Sequence, residues 1–313
     1  MLSIGKSHVV LDRRKFLAGA SALVAMGIFP KNVFALAEQY YFEQGDYTVT
    51  VVSDGELTLP LSIFPDASPD ELAKLLGDMA KDNNFHPQAS PLLLESENDV
   101  ILIDTGSGSG FQPTAGKLIE SLKLAEIEPG DVTKVLFTHA HPDHCWGTIN
   151  ADGKPNYPNA DFYMAETEWN FWTAKDLASK MPAAMEGMVK GTQAQLATLD
   201  GKIKLFKPGA EVLPGIAVID TAGHTPGHVS FDMAGDDGLI VTGDAITNPM
   251  VFFPHPEWKF GFDSDHDTAI KNRKMLLEMA TKEKKRLLGF HWPYPGVGHV
   301  EEGGEGKYRY VPV

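Results

Sequence analysis

A single cysteine, Cys145, is all that the 313-residue chain contains, which excludes an internal disulfide as a source of stability. Basic residues are scarce as well: 27 Lys and Arg stand against 42 Asp and Glu, a formal net charge of −15. Nucleic-acid binding rests on basic patches that neutralise phosphates, so a nuclease or other polyanion-binding role is disfavoured. Strongly anionic small substrates are disfavoured on the same ground, although bound dications can reverse the field locally. Long apolar runs are missing too. The stretch Phe16 to Phe29 is shorter than the ~20 residues that a membrane-spanning helix needs.

That stretch reads instead as the middle of an export signal. Asp12-Arg13-Arg14-Lys15-Phe16-Leu17 sets paired arginines before it, and Ala35-Leu36-Ala37 supplies small residues for cleavage. Residues 1–37 are therefore expected to be a twin-arginine-type signal, with the mature protein starting near Glu38, folded before export, free of the membrane, and periplasmic or secreted. They carry Lys6, Arg13, Arg14, Lys15 and Lys31 against Asp12, so the mature chain is more acidic still. The remaining length, 38–313, fits one domain with an ample core.

Within it, residues 47–60 read as a hairpin around Asp54-Gly55, and Ser68-Pro69-Asp70-Glu71 as the capped start of a helix to about Met79. Pro91 to Asp104 reads as two strands joined at Ser96-Glu97-Asn98-Asp99, and Thr114 as the cap of a helix through Leu122. Ala160 to Ala165 is strand-like, and Glu166 to Leu196 helical with a break near Met181-Pro182. A second series of strands near 202–207, 215–220, 228–233 and 238–243 leads to a helix from about His266 to Lys284. The pattern implies two similar halves, an α/β (α+β) arrangement in which two sheets pack face to face with helices outside.

The chemistry sits at strand ends. Thr138-His139-Ala140-His141-Pro142-Asp143-His144 comes directly after the buried-strand run Lys134-Val135-Leu136-Phe137. In extended backbone, residues two apart point the same way, so His139 and His141 can grip one ion while Asp143 and His144 serve another. Further apolar runs end in His224, within the turn Ala222-Gly223-His224-Thr225-Pro226-Gly227-His228, in Asp244 and in His291. Seven imidazoles and carboxylates are too many for one tetrahedral zinc and suit two ions sharing the Asp244 carboxylate. Zinc is the default metal, with iron, manganese or cobalt as alternatives. His228 is expected to orient its turn rather than bind metal. His86, His255, His266 and His299 read as structural or surface residues, and Cys145 as a buried thiol.

With these residues in place, the chain resembles the metallo-β-lactamase superfamily from about Tyr47 onward. Its HxHxDH signature is matched by His139, His141, Asp143 and His144, its Gly-His-Thr-Pro-Gly-His turn at His224, its Thr-Gly-Asp strand end at Asp244 and its late histidine at His291. The segments Tyr47-Thr48-Val49-Thr50 with Ser53-Asp54-Gly55, Pro295-Gly296-Val297-Gly298-His299 and Tyr308 to Val313 are similar to the methyl parathion hydrolase branch. The resemblance implies an αββα sandwich. One ion would lie on His139, His141 and His224 and the other on Asp143, His144 and His291, with Asp244 bridging; Phe111, Trp172 and Phe262 would stand in the pocket wall. Trp146 departs from the small residues common after the signature and is expected to pack in the core.

The implied reaction is hydrolysis, with a metal-bridging hydroxide attacking the carbonyl or phosphoryl centre of a small, mostly apolar ester, lactone or phosphotriester. Asp143 would also pass a proton to the leaving group. Aromatic residues after Asp244 (Phe252, Phe253, Trp258, Phe260, Phe262) and in Trp169 to Trp172 point to an apolar substrate. The alternatives are a β-lactamase, disfavoured by Asp244, a thioester hydrolase for an anionic tripeptide, disfavoured by the acidic chain, and a mononuclear iron sulfur dioxygenase, disfavoured by the complete ligand set. A non-catalytic metal-binding exported protein completes them. A small molecule is the only partner expected, and a homodimer is left open.

Overall fold

Alternation of apolar side chains along short strands decides the architecture. In the computed structural model, which describes residues 39–313, fourteen strands form two seven-stranded sheets, each in strict chain order. The expected export signal and its cleavage boundary lie outside the described residues. The first sheet comprises β1 (Tyr41–Gln44), β2 (Tyr47–Val51), β3 (Leu92–Glu95), β4 (Val100–Ile103), β5 (Lys134–Leu136), β6 (Asp161–Ala165) and β7 (Ile203–Phe206). The second comprises β8 (Glu211–Leu213), β9 (Ile216–Asp220), β10 (Val229–Met233), β11 (Leu239–Val241), β12 (Arg286–Leu288), β13 (Val297–Gly304) and β14 (Lys307–Pro312).

Both sheets are mixed, and both change direction where the functional loops emerge. The β4–β5 pair is parallel, and so is β11–β12. Parallel neighbours need a crossover, supplied in the first half by the segment with helix Leu118–Leu124 and in the second by the long helix His266–Glu283. The ends of β5, β11 and β12 therefore open at helix-connected loops.

Period two sorts the side chains into layers. Leu92, Leu94, Ile101 and Ile103 join Val229, Phe231, Leu239 and Val241 in a core between the sheets. Leu93, Leu102 and Val135 point the other way, against Leu118, Leu122, Trp172 and Leu196. Ile240 and Leu287 pack against Leu276, Leu277 and Phe252. These three cores make an αββα sandwich, as the resemblance implied.

Several local expectations hold. Ser68 Oγ accepts from the Glu71 amide at the start of helix Pro69–Leu76, and the strand pair around residues 96–99 is present as β3 and β4. Two do not. Tyr47–Val51 pairs backward with Tyr41–Gln44, whereas Gly55–Glu56 pairs with Gln88–Ala89, so no hairpin forms around Asp54-Gly55. The reason is the Asp54 side chain, which is fully buried and accepts from the amides of Ser107, Gly116 and Leu118. Nor does Thr114 cap a helix: the helix begins at Leu118 after Lys117, with no side-chain cap, while the Thr114 carbonyl accepts from the Glu56 amide.

Candidate metal centre

The signature segment divides into an extended part and a helical part. Thr138 leaves β5 with its amide and hydroxyl both donating to the buried carboxylate of Asp104, each at 2.8 Å. His141, itself in extended backbone, precedes a short helix, Pro142–Cys145, with Pro142 at its first position. His139 Nε2 and His141 Nδ1 therefore face one point, 3.1 Å apart, while Asp143 and His144 are turned toward another. His224 Nε2 joins the first pair, 2.9 Å from His141 Nδ1. Asp143, His144 and His291 form the second group, with His291 Nε2 3.1 Å from Asp143 Oδ2.

Asp244 stands between the groups. Its Oδ2 lies 3.3 Å from His224 Nε2 and 3.4 Å from His291 Nε2, and its Oδ1 lies 3.4 Å from His144 Nε2. The backbone reaches that point through Gly243 at φ 51°, where an added Cβ would sit 2.8 Å from His228 Nε2. Only glycine accepts both the left-handed conformation and the approach. His228 in turn accepts from the Asp244 amide at 2.9 Å and, through Nδ1, donates to Thr221 Oγ1 at 2.8 Å. It thus orients the turn without entering either group.

All seven expected ligands converge, and three observations fit cations among them. His144 Nε2 and Asp244 Oδ1 are buried without a hydrogen-bond partner, a costly condition unless something positive sits there. Imidazole nitrogens face one another at 2.9 and 3.1 Å. The outward nitrogen of three rings is held by an oxygen: His144 Nδ1 by Asp104 Oδ2 at 2.8 Å, His224 Nδ1 by Asp263 Oδ1 at 3.0 Å, and His291 Nδ1 by the Gln88 carbonyl at 2.8 Å. Each donates outward and leaves Nε2 free to ligate, the arrangement usual around bound metals.

Asp104, Asp263, Gln88 and Glu168 were missed as site residues by sequence reasoning. Asp104 did carry a signal, since it ends a strand as Asp244 does. Asp263 is 39 positions from His224 in a loop without pattern, and its other oxygen accepts from the buried guanidinium of Arg273.

The three residues expected in a pocket wall differ in burial. Phe262 is 43% exposed and meets Phe260 edge-on, which itself stacks on the His224 ring. Phe111 is half-buried and lies edge-on to Trp146. Trp172 is a correction: it is 1% exposed, packed in the helix-covered core with its ring edge toward His141 and its Nε1 donating to Glu168, so it backs a ligand rather than facing a cleft. Phe252, Phe253 and Phe260 are likewise sealed in the outer core. Trp146 packs as expected, its Nε1 donating to Thr192 Oγ1. Cys145 is buried with Sγ toward the Ala140 carbonyl and belongs to neither ligand group; burial pushes its thiol pKa well up.

Comparison with known proteins decides the family. The profile of the metallo-beta-lactamase superfamily matches residues 87–291. The chain belongs to this superfamily. It is 26% identical over 220 residues to the N-acyl homoserine lactonase AiiA of Bacillus thuringiensis subsp. kurstaki, covering 64% of this chain and 79% of that one. Among solved structures it is similar to the hydrolase AbOPH (29% identity, TM-score 0.81) and to AidC, a dizinc quorum-quenching lactonase solved with a product (26%, TM-score 0.80). Each alignment spans 88% of this chain and 97% of the other.

The superfamily site is also a charge store before any ion enters. Burial alone would lower the His291 pKa, but the Asp244 and Asp143 carboxylates outweigh it and raise it to about 10; His224 is raised to about 9 against burial by Asp244 and Asp263. A ligating imidazole must be neutral, so ion uptake near neutral pH is expected to expel protons from these rings. Calorimetric titration with zinc in buffers of different ionisation enthalpy should give buffer-dependent heats, and heats independent of buffer would contradict this. In the metal-free fold, the stabilising contribution of His224 and His291 is complete below their unfolded pKa of about 6.5 and is lost as pH rises through about 9 to 10.

Proposed function

We propose that this hydrolase works at two divalent ions, one on His139, His141 and His224 and one on Asp143, His144 and His291, and that it cleaves a small, mostly apolar lactone, ester or phosphotriester. The observation that carries the reading is the Asp244 carboxylate, within 3.4 Å of ligand nitrogens from both groups. Ions bound there would supply an activated water near neutral pH and positive charge for the oxygen that becomes negative.

The chain's own residues do the rest. His228 fixes the Asp244 amide, and the outer carboxylates of Asp104 and Asp263 accept from Nδ1 of His144 and His224, so that these rings would meet an ion through Nε2. Asp143, 8% exposed and 3.1 Å from His291 Nε2, holds a proton taken up during attack and returns it to the leaving group. Phe262 offers exposed apolar area beside His224 through Phe260, which favours an uncharged substrate tail. Relatives named as N-acyl homoserine lactonases favour the lactone within this class.

Elemental analysis of protein purified without chelator should give two divalent ions per chain. A screen with chromogenic lactones, aryl esters and phosphotriesters should then find hydrolysis that a chelator abolishes and added zinc or cobalt restores. One ion at full occupancy, or turnover indifferent to the chelator, would overturn the reading.

A further inference from the structure

Glu168 lies in helix Glu166–Trp172, fully buried, and its carboxylate is saturated by four donors. Oε1 accepts from the Ala140 amide at 2.8 Å and from Trp172 Nε1 at 2.7 Å. Oε2 accepts from Thr225 Oγ1 at 2.7 Å and from the Gly227 amide at 3.0 Å. Ala140 sits between His139 and His141; Thr225 and Gly227 come just after His224; and Trp172 supports the His141 ring. The fit is close, since a Cβ on Gly227 would stand 2.1 Å from the Glu168 amide nitrogen.

We propose that Glu168 is a positioning residue for the three-histidine half of the site, setting the spacing of His139, His141 and His224 before an ion arrives and governing ion affinity in that half alone. This rests on the two-ion reading above. The other half has braces of its own, His144 on Asp104 and His291 on the Gln88 carbonyl. A carboxylate has lone pairs for four donors and no proton to clash with them. Glutamine at the same place would turn its NH2 group toward two of those donors, pushing the Ala140 segment and the His224 turn apart.

The test is zinc titration of the metal-free full chain against a competing chelator, reading both binding steps. In Glu168→Gln, one step is expected to weaken about 10- to 100-fold, as when partners behind metal ligands are lost, with the other within about twofold. Thr225→Val, which removes one donor and keeps the carboxylate, should weaken the same step less, and Thr225→Ser should recover it. In a His224→Ala background, the effect of Glu168→Gln should shrink to what reaches His139 and His141 through Ala140; in a His291→Ala background it should persist in full. Equal weakening of both steps, or an undiminished effect without His224, would overturn the proposal. Fewer than two ions in the unaltered chain would overturn the two-ion reading instead.

Discussion

Asp244→Ala is expected to lower kcat/KM on the order of 10³-fold or more for every substrate the protein hydrolyses, a loss of about 4 kcal/mol of transition-state stabilisation. Three histidines from different strand ends, His144, His224 and His291, approach this one carboxylate. Removing it unlinks the two ligand groups and leaves their charge without its shared counterpart. The loss is common to all substrates because it falls on the reacting centre rather than on a specificity contact. Steady-state kinetics on a lactone, an aryl ester and a phosphotriester would check it, and near-normal rates on any of the three would contradict it.

Trp172→Ala is expected to destabilise the fold by about 3–5 kcal/mol, the usual cost of deleting a fully buried large aromatic side chain. At this chain length that lowers Tm by roughly 10 °C. The indole leaves a cavity in the helix-covered core, Glu168 Oε1 loses a donor, and the His141 ring loses its support. Activity should fall alike for all substrates. Phe262→Ala should behave oppositely, with unchanged Tm and substrate preference shifted by about 1–3 kcal/mol, because only exposed apolar contact is lost. A thermal melt of Trp172→Ala matching the unaltered protein would show that the residue does not carry the core as its burial implies.

The contrast between these two aromatics shows what was legible in the sequence. Strand ends were legible, because apolar runs with period two stop where polar ligands begin: His139, His141, His224, Asp244 and His291 follow such stops closely, and Asp143 and His144 lie in the short helix just beyond one. Whether Trp172 or Phe262 faces solvent depends on which helix lies over it, and nothing local encodes that. The same holds for the supports behind the ligands. Glu168 reaches Gly227 across 59 positions, and Asp263 reaches His224 across 39. A buried carboxylate also overrode a turn signal at Asp54-Gly55, where three amides more than fifty residues away capture the side chain and draw the strand aside. Local pattern thus located the chemistry, while long-range hydrogen bonds determine how firmly it is held.

The most direct measurement of the central claim is anomalous diffraction from crystals of the zinc-loaded protein, collected at the zinc edge. Two peaks are expected, one ringed by His139, His141 and His224 and the other by Asp143, His144 and His291, with one Asp244 oxygen or both ligating across the pair. A single peak, or two peaks with Asp244 bound to neither or only one, would contradict a dinuclear centre joined by that carboxylate.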